Sequence, residues 1–298
     1  MCGIVGLFLK KPALQPALGE HLAKMLATMS ARGPDSAGIA VYGDGTDGRR
    51  KLTLRSDSAA NDADLIAQLG TLLGAPVDLV RRSNHVVLSI PDEGLAQTTA
   101  WLHEHRPDIY VVSTGSHMEI YKEVGLPEQV AERFSLSGMR GTHGIGHTRM
   151  ATESAVTTKG AHPFSTGADQ CLVHNGSLSN HNSIRRNLKR EGLQFETEND
   201  SEVAAGYLTW RMREGDSLKQ ALTSSLDALD GFFTFVVGTR NGFAVLRDPI
   251  ACKPAILAES DDYVAFGSEF RALSVLPGID RARVFEPEPA TVYAWERA

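Results

Sequence analysis

Cysteine is scarce in this sequence, with Cys2, Cys171 and Cys252 the only three in 298 residues. So small and odd a number cannot build a disulfide framework, and it fits a reducing compartment. The C-x-x-C spacings that hold iron–sulfur clusters are missing. No apolar run reaches the length that spans a bilayer. The N-terminus lacks the basic stretch and long apolar core of a secretory signal, which makes the Asn175-Gly176-Ser177 glycosylation sequon empty. The expected setting is the cytoplasm, away from membranes. Positive charge is also short. Thirty Lys and Arg against 36 Asp and Glu leave a net charge of −6, without the basic clusters that bind nucleic acid. Metal patterns are thin as well. His143 and His147 stand four apart, but Gly144 and Gly146 argue against the helix a zinc pair would need, and no thiolate or carboxylate completes a set. The turn GDGTDG (43–48) lacks the spacing and distal glutamate of a calcium loop. No metal is expected.

What is present is ample apolar material, 42% of residues, enough for a large core. GIVGLFL (3–9) reads as a buried strand. Over 16–31, Leu18, Leu22, Met25, Leu26 and Met29 recur at helical spacing. A second strand follows over 37–42. Residues 60–80 predict a helix, VVLSI (86–90) and IYVVSTG (109–115) strands, and LAQTTAWLHEH between them a helix, which together make a βαβ signature. Residues 118–134 read as helical. The segment of about 56–140 is therefore expected to be an inserted α/β unit, poor in chemistry, with SLSGMRG (135–141) as its exit. Beyond 144, short β-rich runs alternate with polar motifs. Helices are then expected over about 201–212 and 217–229. Strands are expected over 232–238, 242–248 and 263–269, the last leading into a short helix, with a final strand at TVYAW.

Each motif admits two readings. Cys2 can be a small buried hydrophobe in the first strand. Equally, because Met1 is removed before a small second residue, Cys2 can carry a thiol and a free α-amine together. The amine, with a pKa of ~7.7–8.0, is a fitting base for a thiol near ~8.5. One residue then supplies both nucleophile and base. Arg149, in His147-Thr148-Arg149 at a strand end, is either a surface arginine or a bidentate clamp for a carboxylate. His174-Asn175-Gly176 is either a strand-to-loop turn or an oxyanion hole built from an amide donor and an unhindered N–H. Asn199-Asp200-Ser201-Glu202 opens a helix. Asp200 or Ser201 can serve as its N-cap, and Asp200 can also bind a substrate ammonium.

Taken together, Cys2-Gly3-Ile4, Arg32-Gly33-Pro34-Asp35-Ser36, His147-Thr148-Arg149, His162-Pro163-Phe164, His174-Asn175-Gly176 and Asp200-Ser201-Glu202 occur in the order seen in class II glutamine amidotransferases, which are N-terminal-nucleophile hydrolases. The resemblance covers 2–55 and about 141–275. It implies an α+β fold, an αββα sandwich of two antiparallel sheets, as a single amidotransferase domain over 1–298 with its core in 2–55 and 141–298. By the same resemblance Cys2 is the nucleophile and Asn175 and Gly176 form the oxyanion hole. Arg149, helped by Thr152, binds the glutamine α-carboxylate. Asp200 and the backbone near Gly176 hold the α-amine, His162 walls the pocket, and Arg32 supports the N-terminal loop. The chain departs from the sugar-transferring members at Glu153, where they carry a second histidine. It also departs in showing no phosphosugar, phosphoribosyl or ATP-binding region. It is most similar to separately encoded amidotransferase subunits of glutamate-synthase-like complexes, and within them to those of the N-methylglutamate synthase type. That likeness implies L-glutamine or a γ-glutamyl amide as substrate, no cofactor in this chain, and FMN and iron–sulfur clusters in glutamate-synthase-like partner subunits. Two other readings stand beside it: a non-catalytic assembly subunit that keeps the fold, and a hydrolase of another γ-glutamyl amide.

Overall fold

The computed structural model describes residues 2–56, 62–151 and 155–297. In chain order, β1 (Gly3–Leu9) leads to α1 (Leu18–Ala27) and β2 (Ser36–Tyr42). Next come β3 (Arg49–Arg55), α2 (Asp62–Leu73), β4 (Asp78–Arg82), β5 (His85–Pro91), α3 (Leu95–His105) and β6 (Tyr110–Gly115). The chain continues with β7 (Met118–Val124), α4 (Pro127–Arg133), β8 (His143–Arg149), β9 (Phe164–Gly167) and β10 (Gln170–Leu178). Helices α5 (His181–Arg190), α6 (Asp200–Arg213) and α7 (Leu218–Ala228) precede β11 (Gly231–Thr239) and β12 (Gly242–Arg247). The last elements are β13 (Ile256–Glu259), β14 (Tyr263–Gly267), α8 (Phe270–Leu273), β15 (Arg283–Phe285) and β16 (Val292–Glu296).

Two antiparallel sheets stack face to face. One has the order β15-β13-β14-β1-β8-β2-β7, the other β16-β12-β11-β10-β9. Ile4, Phe8, Ile145, Val173, Val236, Phe243 and Phe266 fill the space between them. Helix α1 covers the outer face of the first sheet with α4 and α8, through Leu18, Leu22, Met25 and Leu26. Helices α5, α6 and α7 cover the outer face of the second. This is the αββα sandwich that the resemblance implied. Both faces of β1 are covered, which is why all seven of its residues are buried and its sequence runs apolar without alternation. Gly144 and Gly146 of β8 let α1 settle onto that strand. A Cβ at those positions would lie 2.8 Å from Leu22 Cδ2 and 2.9 Å from Leu26 Cδ1. The backbone between His143 and His147 is therefore extended, and their side chains stand at opposite ends of one strand.

The reading of 118–134 as one helix is corrected by the structure. Residues 118–124 form β7, an edge strand paired along its length with β2 from Ser36↔Val124 to Tyr42↔Met118, and only 127–133 are helical. In MEIYKEV the helix-favouring Glu and Lys mask a period of two. Met118, Ile120 and Lys122 point to one face while Glu119, Tyr121 and Glu123 point to the other. The inserted unit also has different bounds from the expected 56–140. Its sheet, β4-β5-β3-β6, runs from Arg49 to Gly115, and 118–140 returns to the sandwich. Strands β5 and β6 both pair antiparallel with β3. They are therefore parallel to each other with α3 as the crossover, and the expected βαβ is split by β3. With α2 and β4 added, the unit is a βαββαβ of ferredoxin-like topology. It has its own core, with Leu52, Leu54, Leu88 and Ile90 of the sheet against Leu65, Leu69 and Leu102 of the helices. Among the described residues, no helix is long and apolar enough to cross a membrane.

Candidate active site

The site is built where the start of β1, the end of β8 and the middle of β10 meet at one end of the sandwich. The pairing Gly3↔Thr148 brings Cys2 beside the end of β8, and the Cys2 Sγ lies 3.9 Å from the carbonyl of Met150. The backbone of Cys2 is held from two directions. Arg32 Nε donates to its carbonyl at 3.0 Å and Asn175 Nδ2 at 3.3 Å. Arg32 follows α1, and its Nη1 pairs with Glu269 Oε1 at 2.7 Å. Asn175 Nδ2 is also 3.3 Å from Ser268 Oγ, which accepts the amide of Ile4 at 2.9 Å. Ser268 and Glu269 thus support the nucleophile candidate and its neighbouring amide, roles that sequence reasoning missed. They follow β14, and only its antiparallel pairing with β1, Val5↔Gly267, carries them there.

Asn175 and Gly176 are not a turn. They sit inside β10, paired with Thr234 and Phe233 of β11. Gly176 has φ +151°, and a Cβ on it would fall 1.9 Å from the carbonyl oxygen of Phe232 and 2.7 Å from His174 Nε2. Only glycine fits there.

Three histidines that the sequence spread over 27 residues, His147 to His174, converge behind these groups. The rings of His147 and His162 stack at 4.0 Å, and His162 packs edge-on against Phe164 at 4.9 Å. His174 Nδ1 is 2.9 Å from Ser201 Oγ and 3.9 Å from Asp200 Oδ1. Burial holds all three imidazoles neutral: His147 is pushed down to about 3, and His162 and His174 are lowered too. The His147 ring faces the His174 backbone and the Asn175 side chain, which places it directly behind the candidate oxyanion donor.

Arg149 is also buried, 7% exposed. Its Nη1 lies 3.5 Å from the carbonyl of Ala155. Asp35 fixes the end of β8, accepting from the amide of Ala151 at 2.8 Å and donating its own amide to the carbonyl of Arg149 at 3.1 Å. Asp200 lies at the start of α6 and accepts the amide of Leu178 at 2.9 Å. The N-cap is Asn199, whose Oδ1 accepts from Ser201 N at 2.8 Å, so Asp200 is not needed for capping. Glu202 closes the preceding loop, accepting from the amides of Glu196 and Thr197. Cys2, Arg32, Arg149, His162, Asn175, Gly176 and Asp200 are thus gathered at one end of the fold. Thr152 and Glu153 lie outside the described residues.

Comparison with known proteins bears on the family and the fold. The sequence pattern of the glutamine amidotransferase domain matches residues 147–275. A protein of Rhizobium meliloti (strain 1021) named glutamine amidotransferase-like protein GlxB is 61% identical over 99% of this chain and 98% of its own length. A putative glutamine amidotransferase of Methanothermobacter thermautotrophicus is 33% identical over 99% of this chain and 100% of its own. Among solved structures, the glutamine phosphoribosylpyrophosphate amidotransferase of B. subtilis, in complex with ADP and GMP, superposes with a TM-score of 0.61 at 20% identity. That match covers 99% of this chain and 49% of the other, a likeness of fold.

Proposed function

The chain belongs to the class II glutamine amidotransferase family, and from that premise we propose that it is the glutamine-hydrolysing subunit of a glutamate-synthase-like complex. Once Met1 is removed, the Cys2 thiol passes its proton to its own α-amine and attacks the side-chain amide carbon of glutamine. The oxyanion forms against the Asn175 side-chain amide and the Gly176 N–H. Ammonia leaves with the proton, and water then hydrolyses the γ-glutamyl thioester to glutamate. Arg149 clamps the α-carboxylate with Thr152 beside it, Asp200 takes the α-ammonium, and His162 walls the pocket. Arg32 holds the Cys2 backbone so that the thiol stays aimed. The observation that carries this reading is the convergence of Arg32 and Asn175 on the carbonyl of Cys2, which ties the candidate nucleophile to the candidate oxyanion donor.

The released amine passes to a partner synthase subunit carrying FMN and iron–sulfur clusters. The reaction proposed for the whole is glutamate plus methylamine giving N-methylglutamate plus ammonia, and in it the γ-glutamyl amide cleaved by this subunit is that of methylamine, so that the amine passed on is methylamine. The test is intact mass spectrometry of the native subunit, joined to an assay of glutamate release from glutamine. A mass lower by one methionine, with activity that Cys2→Ala abolishes, is the expected result. A retained Met1 blocks the amine and turns the reading to a non-catalytic assembly subunit. Hydrolysis of other γ-glutamyl amides in preference to glutamine turns it to a different hydrolase.

A further inference from the structure

Two adjacent residues of β7, Lys122 and Glu123, have no part in the chemistry above, yet both grip the segment that joins β8 to β9. Lys122 is 1% exposed. Its Nζ donates to the carbonyl of Ala161 at 2.8 Å and lies 3.3 Å and 3.4 Å from the carbonyls of Lys159 and Pro163. These carbonyls surround His162. The rings of Phe164, at 4.9 Å, and Tyr110, at 5.9 Å, complete the cage. Among the described residues, no carboxylate forms an ion pair with Lys122. Burial pushes the Lys122 amine down to about 7, with the Glu202 carboxylate acting against that shift, and a methionine would fill the same apolar space at less cost. What the lysine alone supplies is N–H donors for the carbonyls of an irregular segment.

Glu123 points to the opposite face of the strand. It accepts from the Thr158 hydroxyl, from Asn84 Nδ2 and from the amide of Val124. Arg55 lies 3.9 Å away and Arg133 3.5 Å. Asn84 and Arg55 belong to the ferredoxin-like unit. The gripped segment meets the site at two points: the carbonyl of Ala155 is 3.5 Å from Arg149 Nη1, and His162 stacks on His147 at 4.0 Å.

We propose that Lys122 and Glu123 are positioning residues that hold residues 157–163 over the glutamine site from both faces of β7, with Glu123 tying that segment to the inserted unit. The proposal rests on the glutamine reading given above. Its ligand-facing consequence is that glutamine affinity depends on side chains that never touch glutamine.

The test labels Cys2 in the native complex with a γ-diazoketone analogue of glutamine, which needs the pocket, and with iodoacetamide, which does not. Lys122→Met is expected to raise the half-saturating analogue concentration and the glutamine KM by about tenfold, and Thr158→Val by about threefold. The iodoacetamide rate and kcat should stay within about twofold of wild type. If both variants label and turn over like wild type, or lose both labelling reactions alike, the proposal is overturned. If Lys122→Met does not fold, Thr158→Val decides by the same two reagents. A wild-type protein that reacts with iodoacetamide but never with the analogue overturns the glutamine reading itself, a result separate from any effect of the variants.

Discussion

At one end of β8, His143 is packed as a structural residue. Its Nε2 is 2.9 Å from the carbonyl of Thr239, its Nδ1 is 2.8 Å from the Thr142 hydroxyl, and its ring stacks on Tyr42 at 4.0 Å. Since a carbonyl can only accept, Nε2 carries the proton and Nδ1 receives the threonine's. At the other end, His147 is equally buried and also pushed down to about 3 by burial. Its ring faces the Asn175 side chain and the His174 backbone. The same residue type, on the same strand, at the same depth, is tied to a distant strand at one end and turned to the candidate oxyanion donor at the other. Burial alone therefore does not mark function. The mark is the company the residue keeps, for at this end a thiol, a buried arginine and a glycine of positive φ meet.

The largest effect that would break this contrast is expected at Gly176. Gly176→Ala drives a methyl into the Phe232 carbonyl and displaces an oxyanion donor. Glutamine hydrolysis should fall about a hundredfold or more in kcat/KM. Unchanged kinetics in a folded variant would make the site end as tolerant as any other.

Acid comes next. His85, His143 and His147 sit at about 3 in the folded protein against 6.5 in a free chain. Between those values the unfolded state binds more protons, so stability falls as pH drops from about 6.5 toward 3. Each histidine adds about 1.4 kcal/mol per pH unit once well below 6.5. Urea midpoints measured from pH 7 to pH 4 should decline steeply. Removing either end of the contrast, by His143→Phe or His147→Phe, should flatten that decline by one histidine's share.

The same two variants should differ in other respects. His143→Phe strands the Thr239 carbonyl and costs about 1–3 kcal/mol of stability while glutamine turnover is kept. His147→Phe removes the ring that faces the candidate oxyanion donor Asn175. It should lower kcat/KM by about tenfold, the worth of one hydrogen bond, where His143→Phe leaves kcat/KM unchanged. The smallest effect is expected at Tyr42, whose hydroxyl is 3.4 Å from Cys171 Sγ. Tyr42→Phe should cost at most about 1 kcal/mol in a thermal melt and nothing in activity.

Much of this was legible in the sequence. Strand β1, helix α1 and the βαβ of the inserted unit follow from apolar periodicity. The site motifs keep chain order, and the fold gathers them at one end. The sequence of β7 reads as a helix because its Glu and Lys favour helices, and its period of two shows only with β2 beside it. Ser268 and Glu269 carry no local signal, for they reach Asn175 and Arg32 only through the pairing of β14 with β1. Lys122 reads in sequence as an ordinary surface charge, and only the crossing of β9 and its preceding segment over β7 buries it.

The sequence by itself determined which chemical groups this protein owns: a thiol at position two, an Asn-Gly pair following an apolar run, an arginine at a strand end, and enough periodic apolar residues to close two sheets over a core. Those follow from local propensity and side-chain chemistry, which need no partner. Tertiary structure alone decided which histidine turns to the site, which lysine is buried, and which carboxylate joins the inserted unit to the site. These outcomes depend on what stands across a sheet or a strand pair, 96 residues along the chain from His143 to Thr239, 39 from Lys122 to Ala161 and 35 from Glu123 to Thr158, and side-chain chemistry does not encode distance.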